Sequence, residues 1–240
     1  MTTAYVLQAE DVAIHYGGVK ALDGVSLTLE KGQIRGLIGP NGAGKSTVID
    51  AITGRRRLTR GRVLLDGEDV TALGAVERRQ RGLSRSFQRT SIFAGMAVRG
   101  QVELASHRMG VADSGADADA VLEELDLARL SHMLAEDLGY GEQRRLDLAL
   151  ALVGRPKLLM LDEPMAGLSV KESHDLARHL KALTSRWEVS VLLVEHDMDV
   201  VFGISDAVTV FELGRVIASG APAAVRADAR VREAYLGSAA

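Results

Sequence analysis

An α/β fold, with a mainly parallel sheet covered by helices on both faces, is predicted by three observations. Residues 39–47, GPNGAGKST, form a glycine-rich turn between the apolar run 34–38 and the apolar-rich segment 48–52, so the context reads strand, turn, helix. Residues 158–161, LLML, and 190–194, SVLLV, are continuous apolar strands of the kind buried in the middle of a parallel sheet, and each delivers acidic residues at its C-terminal end. Between these strands lie segments with helical spacing, the alternation that builds a parallel sheet through crossover helices.

The elements follow in order. Residues 4–16 alternate apolar and polar side chains, as do 25–29, with Gly17-Gly18 and Asp23-Gly24 as turn signals, so two or three antiparallel strands are expected before the turn. Tyr16 ends the first strand, as an aromatic packed on a sheet face or as a ring stacked on a nucleotide base. The helix after the turn stops at Thr53-Gly54. Residues 55–62, RRRLTRGR, hold five arginines without an interleaved aromatic platform, which reads as a solvated face rather than a nucleic-acid surface. A strand over 63–65, a turn at Asp66-Gly67, a short charged helix over 77–81 and a strand over 83–88 ending on Gln88 come next. Residues 89–138 read as a helical insertion, with a loose small-residue linker near 110–118 and helical spacing over 121–130. A mostly buried helix from Gly141 is ended by Gly154 and Pro156. Beyond the strand at 158–161 lie a helix over 171–186, the strand 190–194, a helix over 198–204, a hairpin of 207–211 with 215–218, and a tail, 222–237, with one short helix. The whole is expected to be a single domain, 1–240, in which 1–88 and 139–240 form the core and 89–138 a helical subdomain.

Composition narrows the function classes. The 240 residues are 47% apolar and 25% charged, as in a soluble globular protein, and a net charge of −3 gives no global argument for nucleic acid or an anionic membrane. With no cysteine, disulfides, zinc–thiolate sites and thiol catalysis are excluded. No run approaches 18 apolar residues and the N-terminus lacks the features of a secretory signal, so a cytoplasmic location is expected.

The glycine-rich turn is a phosphate cradle. Glycines at 39, 42 and 44 let backbone N–H groups curl around phosphate oxygens, and the helix start adds free donors and a favourable dipole. Gly39, Pro40, Asn41, Gly42, Ala43, Gly44, Lys45, Ser46 and Thr47 are therefore the expected phosphate-binding residues. Lys45 reaches the β and γ phosphates, the Ser46 hydroxyl ligates Mg²⁺, and Thr47 caps the helix or contacts phosphate. Asp162, at the end of its strand, suits a Mg²⁺ ligand acting through water, and Glu163 suits a group that orients or deprotonates the attacking water.

Taken in order, GPNGAGKST, Phe87-Gln88, YGEQRR at 140–145, LLMLDEP at 158–164 and VEHD at 194–197 resemble the ATP-binding-cassette (ABC) ATPases over nearly the whole chain. VKALDGVSL, EHDMDVVFGISD and RADARVREAYLG are most similar to the ATP-binding subunits of branched-chain amino acid importers, pieces shared with urea and amide importers. The resemblance implies a RecA-like P-loop NTPase core with an antiparallel β subdomain and a small helical one. It also implies ATP and Mg²⁺ as cofactors, Tyr16 as the base-stacking ring, Gln88 as the residue that senses Mg²⁺ and couples to the membrane partner, Glu163 as the general base, and His196 as the contact to the γ-phosphate and the attacking water. His15, His107, His132, His174 and His179 are read as surface or packing residues. Two nucleotide sites are implied in a head-to-tail dimer, homo- or heteromeric, each closed by the other subunit's signature stretch, with Gly139, Gly141 and Glu142 facing the nucleotide. Transmembrane permease subunits and a substrate-binding protein complete the implied system, with this chain on the cytoplasmic face of the membrane.

Two positions depart from the family pattern: Gly139 stands where a serine is usual, and Ser169 where an aspartate or asparagine is usual. A soluble ABC ATPase acting on nucleic acid or the ribosome is the alternative, and it generally needs a long coiled-coil insertion or tandem cassettes. A small-molecule kinase would leave YGEQRR and VEHD without a task.

Overall fold

The computed structural model describes residues 4–86 and 90–236. Two sheets organise it. Strands β1 (Tyr5–Tyr16) and β2 (Val19–Glu30) pair antiparallel, and β4 (Arg60–Leu65) with the two-residue β5 (Glu68–Asp69) extends the other edge of β1 in the order β2-β1-β4-β5. The second sheet is mostly parallel. It contains β3 (Ile34–Ile38), β6 (Leu83–Arg85), β7 (Leu158–Asp162), β8 (Ser190–Val194), β9 (Ala207–Glu212) and β10 (Arg215–Gly220), in the order β10-β9-β3-β8-β7-β6. Only β10 runs antiparallel, as the return arm of the hairpin with β9.

The period-two geometry of strands explains why β7 and β8 are apolar throughout. Leu159, Leu161, Val191 and Leu193 face one hydrophobic cluster, while Leu158, Met160, Leu192 and Val194 face another. On the first face pack α5 (Tyr140–Leu152) and α6 (Val170–Arg186), joined by α3 (Val98–Arg108) and α4 (Ser114–Glu124) in the same cluster. On the second lie α1 (Lys45–Ile52) and the antiparallel sheet. A third, smaller cluster joins β3 and β9 to α7 (Met198–Ile204) and α8 (Pro222–Ala227). The remaining α-helices are α2 (Ala75–Gln80) and the short α9 (Ala229–Val231), which continues into a π-turn, Arg232–Leu236. Among the described residues no helix is long and apolar enough to cross a membrane.

Three expectations need correction. The segment near 110–118 is not a loose linker: α4 begins at Ser114, with the Asp113 side chain accepting from Ala116 N at 2.9 Å and Arg99 forking onto Asp119 from α3. The tail carries α8 and α9 rather than one helix, because Pro222 opens the first and Asp228, accepting from Arg230 N at 2.9 Å, caps the second. The strand predicted over 83–88 ends at Arg85, and Gln88 lies outside the described residues. Within the arginine segment, Arg60 and Arg62 are paired with Asp11 and Glu10 of β1, each at 2.7 Å.

Candidate functional site

Three adjacent parallel strands bring the sequence motifs to one edge. In register, Leu37 of β3 lies beside Val194 of β8, and Val194 beside Asp162 of β7. The phosphate loop after β3, the Glu195-His196 turn after β8 and Asp162-Glu163 at the end of β7 therefore emerge together at the C-terminal edge, where open α/β sheets place their ligands.

The loop is held in shape by its glycines and by neighbours from both sheets. Gly39 has φ 155°, and a Cβ there would stand 2.3 Å from the Phe211 carbonyl oxygen. Gly44, at φ 105°, is also constrained, since a Cβ there would press on the Ala21 carbonyl oxygen at 3.0 Å. The turn between β9 and β10 locks the far side, with Gly214 N donating to Ala43 O at 2.9 Å and Asp23 N donating to Gly214 O at 3.0 Å. Lys45 opens α1 and is buried; its ammonium donates to Gly39 O at 2.6 Å and to Pro40 O at 3.1 Å. Burial pushes this ammonium below the usual lysine range, and Glu163 and Asp162 pull it back.

A cavity of about 460 Å³ lies against this loop, lined by residues 41–47 together with Glu163, His196, residues 19–21 and the Leu213-Gly214 turn. Glu163 sits in the left-handed region at φ 51°, which non-glycine residues rarely adopt, and its N–H donates to Val194 O at 2.8 Å. This turn aims its carboxylate across to His196, whose Nε2 stands 2.5 Å from Glu163 Oε1. Asp162 is buried, and Arg85 of β6 donates to its Oδ2 at 3.1 Å while holding Asp50 of α1 at 2.5 Å. Burial pushes the Asp162 carboxyl up, and Arg85 opposes the shift. Its Oδ1 is buried with no hydrogen-bond partner among the described residues, an orphaned oxygen of the hard kind that suits a magnesium ion.

The other predicted residues lie apart. Gly139, Gly141 and Glu142 line a separate cavity of about 370 Å³ with Glu172, Arg145 and His179. Gly139 precedes the first turn of α5, donating its N–H to Glu142 Oε2 at 2.9 Å. Ser169 caps α6, its side chain and N–H engaging Glu172. Tyr16 is exposed, 5.9 Å from the Arg56 guanidinium, and it pairs in register with Val19, which lines the phosphate cavity.

Sequence reasoning missed Arg85, Arg144 and Glu195. Arg144 of α5 is buried and donates from Nε to Pro164 O and from Nη2 to Glu163 O, both at 2.8 Å, so it clamps the backbone that carries the Glu163 side chain. Glu195 is buried directly after β8. A charged residue closing an apolar strand was the one signal available for it.

Comparison with known proteins places these features in company. Residues 22–166 match the family model described as ABC transporter, and 215–240 match the model described as branched-chain amino acid ATP-binding cassette transporter. The chain is 38% identical to the high-affinity branched-chain amino acid transport ATP-binding protein BraF of Pseudomonas aeruginosa, with 98% of each chain covered. It is 35% identical to the corresponding protein LivG of Escherichia coli, again over 98% of each. Among solved structures, an ATP-binding cassette of an ABC transporter in its ADP conformation superposes with a TM-score of 0.86 at 30% identity, covering 98% of this chain and 100% of that one.

Proposed function

The chain belongs to the ATP-binding-cassette ATPases of ABC transporters, and from that premise we propose that it is the ATP-hydrolysing subunit of an importer for branched-chain amino acids or related amides. The observation that carries the cargo class is the similarity to BraF and LivG over 98% of the chain, together with the match of the C-terminal segment 215–240. Its partners are a second ATPase subunit, transmembrane permease subunits on the cytoplasmic face of the membrane, and a substrate-binding protein.

The chemistry follows from the strand edge. The backbone N–H groups of residues 42–47 and the Lys45 ammonium hold the phosphates, the lysine exchanging the carbonyls of Gly39 and Pro40 for phosphate oxygens. Ser46 and the unpartnered Oδ1 of Asp162 would hold Mg²⁺, which when bound neutralises charge on the phosphate oxygens. Glu163 takes the proton of the attacking water, and His196, 2.5 Å from it, orients that carboxylate and reaches the γ-phosphate. Gln88, by the family pattern, links the site to the permease.

Replacing Glu163 by Gln tests the assignment. The variant should bind Mg-ATP with the parent affinity and lose about a hundredfold or more of its turnover, the scale of a lost general base. Hydrolysis at the parent rate would remove Glu163 from that role.

A further inference from the structure

Glu195 has no task in the mechanism above, yet it is a buried acid between the two catalytic loops, 4% exposed. It follows β8, the strand between β3 and β7, and its two oxygens divide between the turn after β7 and its own turn after β8. Oε1 accepts from Met165 N at 2.7 Å, two residues beyond Glu163, and Oε2 accepts from His196 N at 3.1 Å. One carboxylate thus ties the turn that carries the Glu163 side chain to the turn that carries the imidazole of His196. From the opposite side Arg144 holds the carbonyls of Glu163 and Pro164, so the left-handed turn at Glu163 is fixed by its N–H groups and its C=O groups at once.

We propose that Glu195 is a positioning residue for hydrolysis, whose carboxylate bridges the backbone of both loops and thereby sets the contact between Glu163 Oε1 and His196 Nε2. The proposal rests on the reading of Glu163 as the base. A carboxylate is the group that performs this task, because it offers an acceptor to each N–H and carries no competing donor. Burial pushes the Glu195 carboxyl above the usual range, and the amide hydrogen bonds from Met165 and His196 pull against that shift, since they favour the carboxylate.

The test is Glu195→Gln, equal in size, which leaves one acceptor and turns an amide NH₂ toward the other N–H. The proposal expects turnover to fall about tenfold or more while the dissociation constant for Mg-ATP stays within about twofold, the signature of a group that acts on the transition state alone. Hydrogen exchange at the Met165 and His196 amides should quicken in the variant, while residues 39–47 keep the parent rates. Turnover within about twofold of the parent would overturn it, as would a loss of turnover matched by an equal loss of ATP affinity and of melting temperature. Should the variant fail to fold, the parent decides: Met165 and His196 amides that exchange as fast as an open loop would refute the bridge, and protected ones support it. Glu163→Gln separates the two levels. If that variant still turns over, the reading beneath the proposal falls; if it is inactive while Glu195→Gln matches the parent, only the bridge falls.

Discussion

Asp147 shows how a single buried charge links the site to the rest of the chain. It sits inside α5 and accepts from Ser91 N at 2.9 Å, just beyond the segment holding Gln88, with Arg144 on the same helix 3.9 Å away. Burial pushes its carboxyl above the usual range, against the pull of the Ser91 amide and Arg144. The folded-state pKa thus exceeds the unfolded value of about 3.9. Its contribution to stability is therefore fully present below about pH 4 and is lost as pH rises through the folded-state pKa. Asparagine keeps an oxygen for Ser91 and carries no charge, so Asp147→Asn should gain stability relative to the parent as pH rises from 4 to 8. Denaturant midpoints of the two proteins measure this, and a difference that is flat or falls with pH would contradict it. At this scale, legibility tracked contiguity. Lys45, Asp162, Glu163 and His196 stand inside short strings with a readable strand before each, and the structure brings Lys45, Glu163 and His196 to one cavity. The roles of Arg144 and Glu195 were not readable because the bonds that tie them to the Glu163 turn go to backbone atoms 19 to 30 residues away, brought near by the packing of α5 and by the pairing of β7 with β8 rather than by any spacing.

The start of α5 is where element and function meet most directly. Gly139 is extended, with φ −63° and ψ 157°, a geometry open to any residue, and a Cβ there would meet Glu142 Oε2 at 3.5 Å, an ordinary contact. The position therefore accepts serine without rearrangement. In the helix itself the exchange is worth only a few tenths of a kcal/mol. A hydroxyl aimed at a partner's phosphate is worth about 1.5 to 3 kcal/mol, so Gly139→Ser should tighten ATP-driven association with the partner subunit by about tenfold or more and raise turnover. Sedimentation or light scattering at graded ATP, beside a steady-state assay, measures both, and no change in either would show that the missing hydroxyl has no consequence. The elements themselves were mostly readable, since β7 and β8 carry apolar residues on both faces and α6 is amphipathic. The start of α4 was not. Its sequence SGADADA is small and polar like a loop, and it is helical because Asp113 caps it, alanine favours helix, and Arg99 and Ser106 of α3 engage Asp119 and Asp117.

At the scale of the whole molecule, the phosphate loop and the stretch around Gly139 line different cavities, and no residue of α5 lines the phosphate cavity, the arrangement that the proposed pairing with a second ATPase subunit would complete. A second surface is also left open. Residues 94–98 and 133–136 join through backbone hydrogen bonds just beyond Ser91, and Phe93, Met133 and Leu134 stand exposed around that junction, Phe93 at 61%. An apolar group next to the segment that holds Gln88 is what a cytoplasmic helix of a permease would cover, and covering it would press on the loop that Asp147 anchors. The chain, expressed in its native setting, should therefore fractionate with membranes and leave detergent extracts bound to multi-spanning polypeptides. Phe93→Asp with Met133→Asp should release it to the soluble fraction, with Mg-ATP affinity unchanged because neither residue lines the phosphate cavity. Recovery of the parent on ribosomes or nucleic acid, with none in the membrane fraction, would point instead to a soluble ABC ATPase and would leave this apolar junction without a purpose.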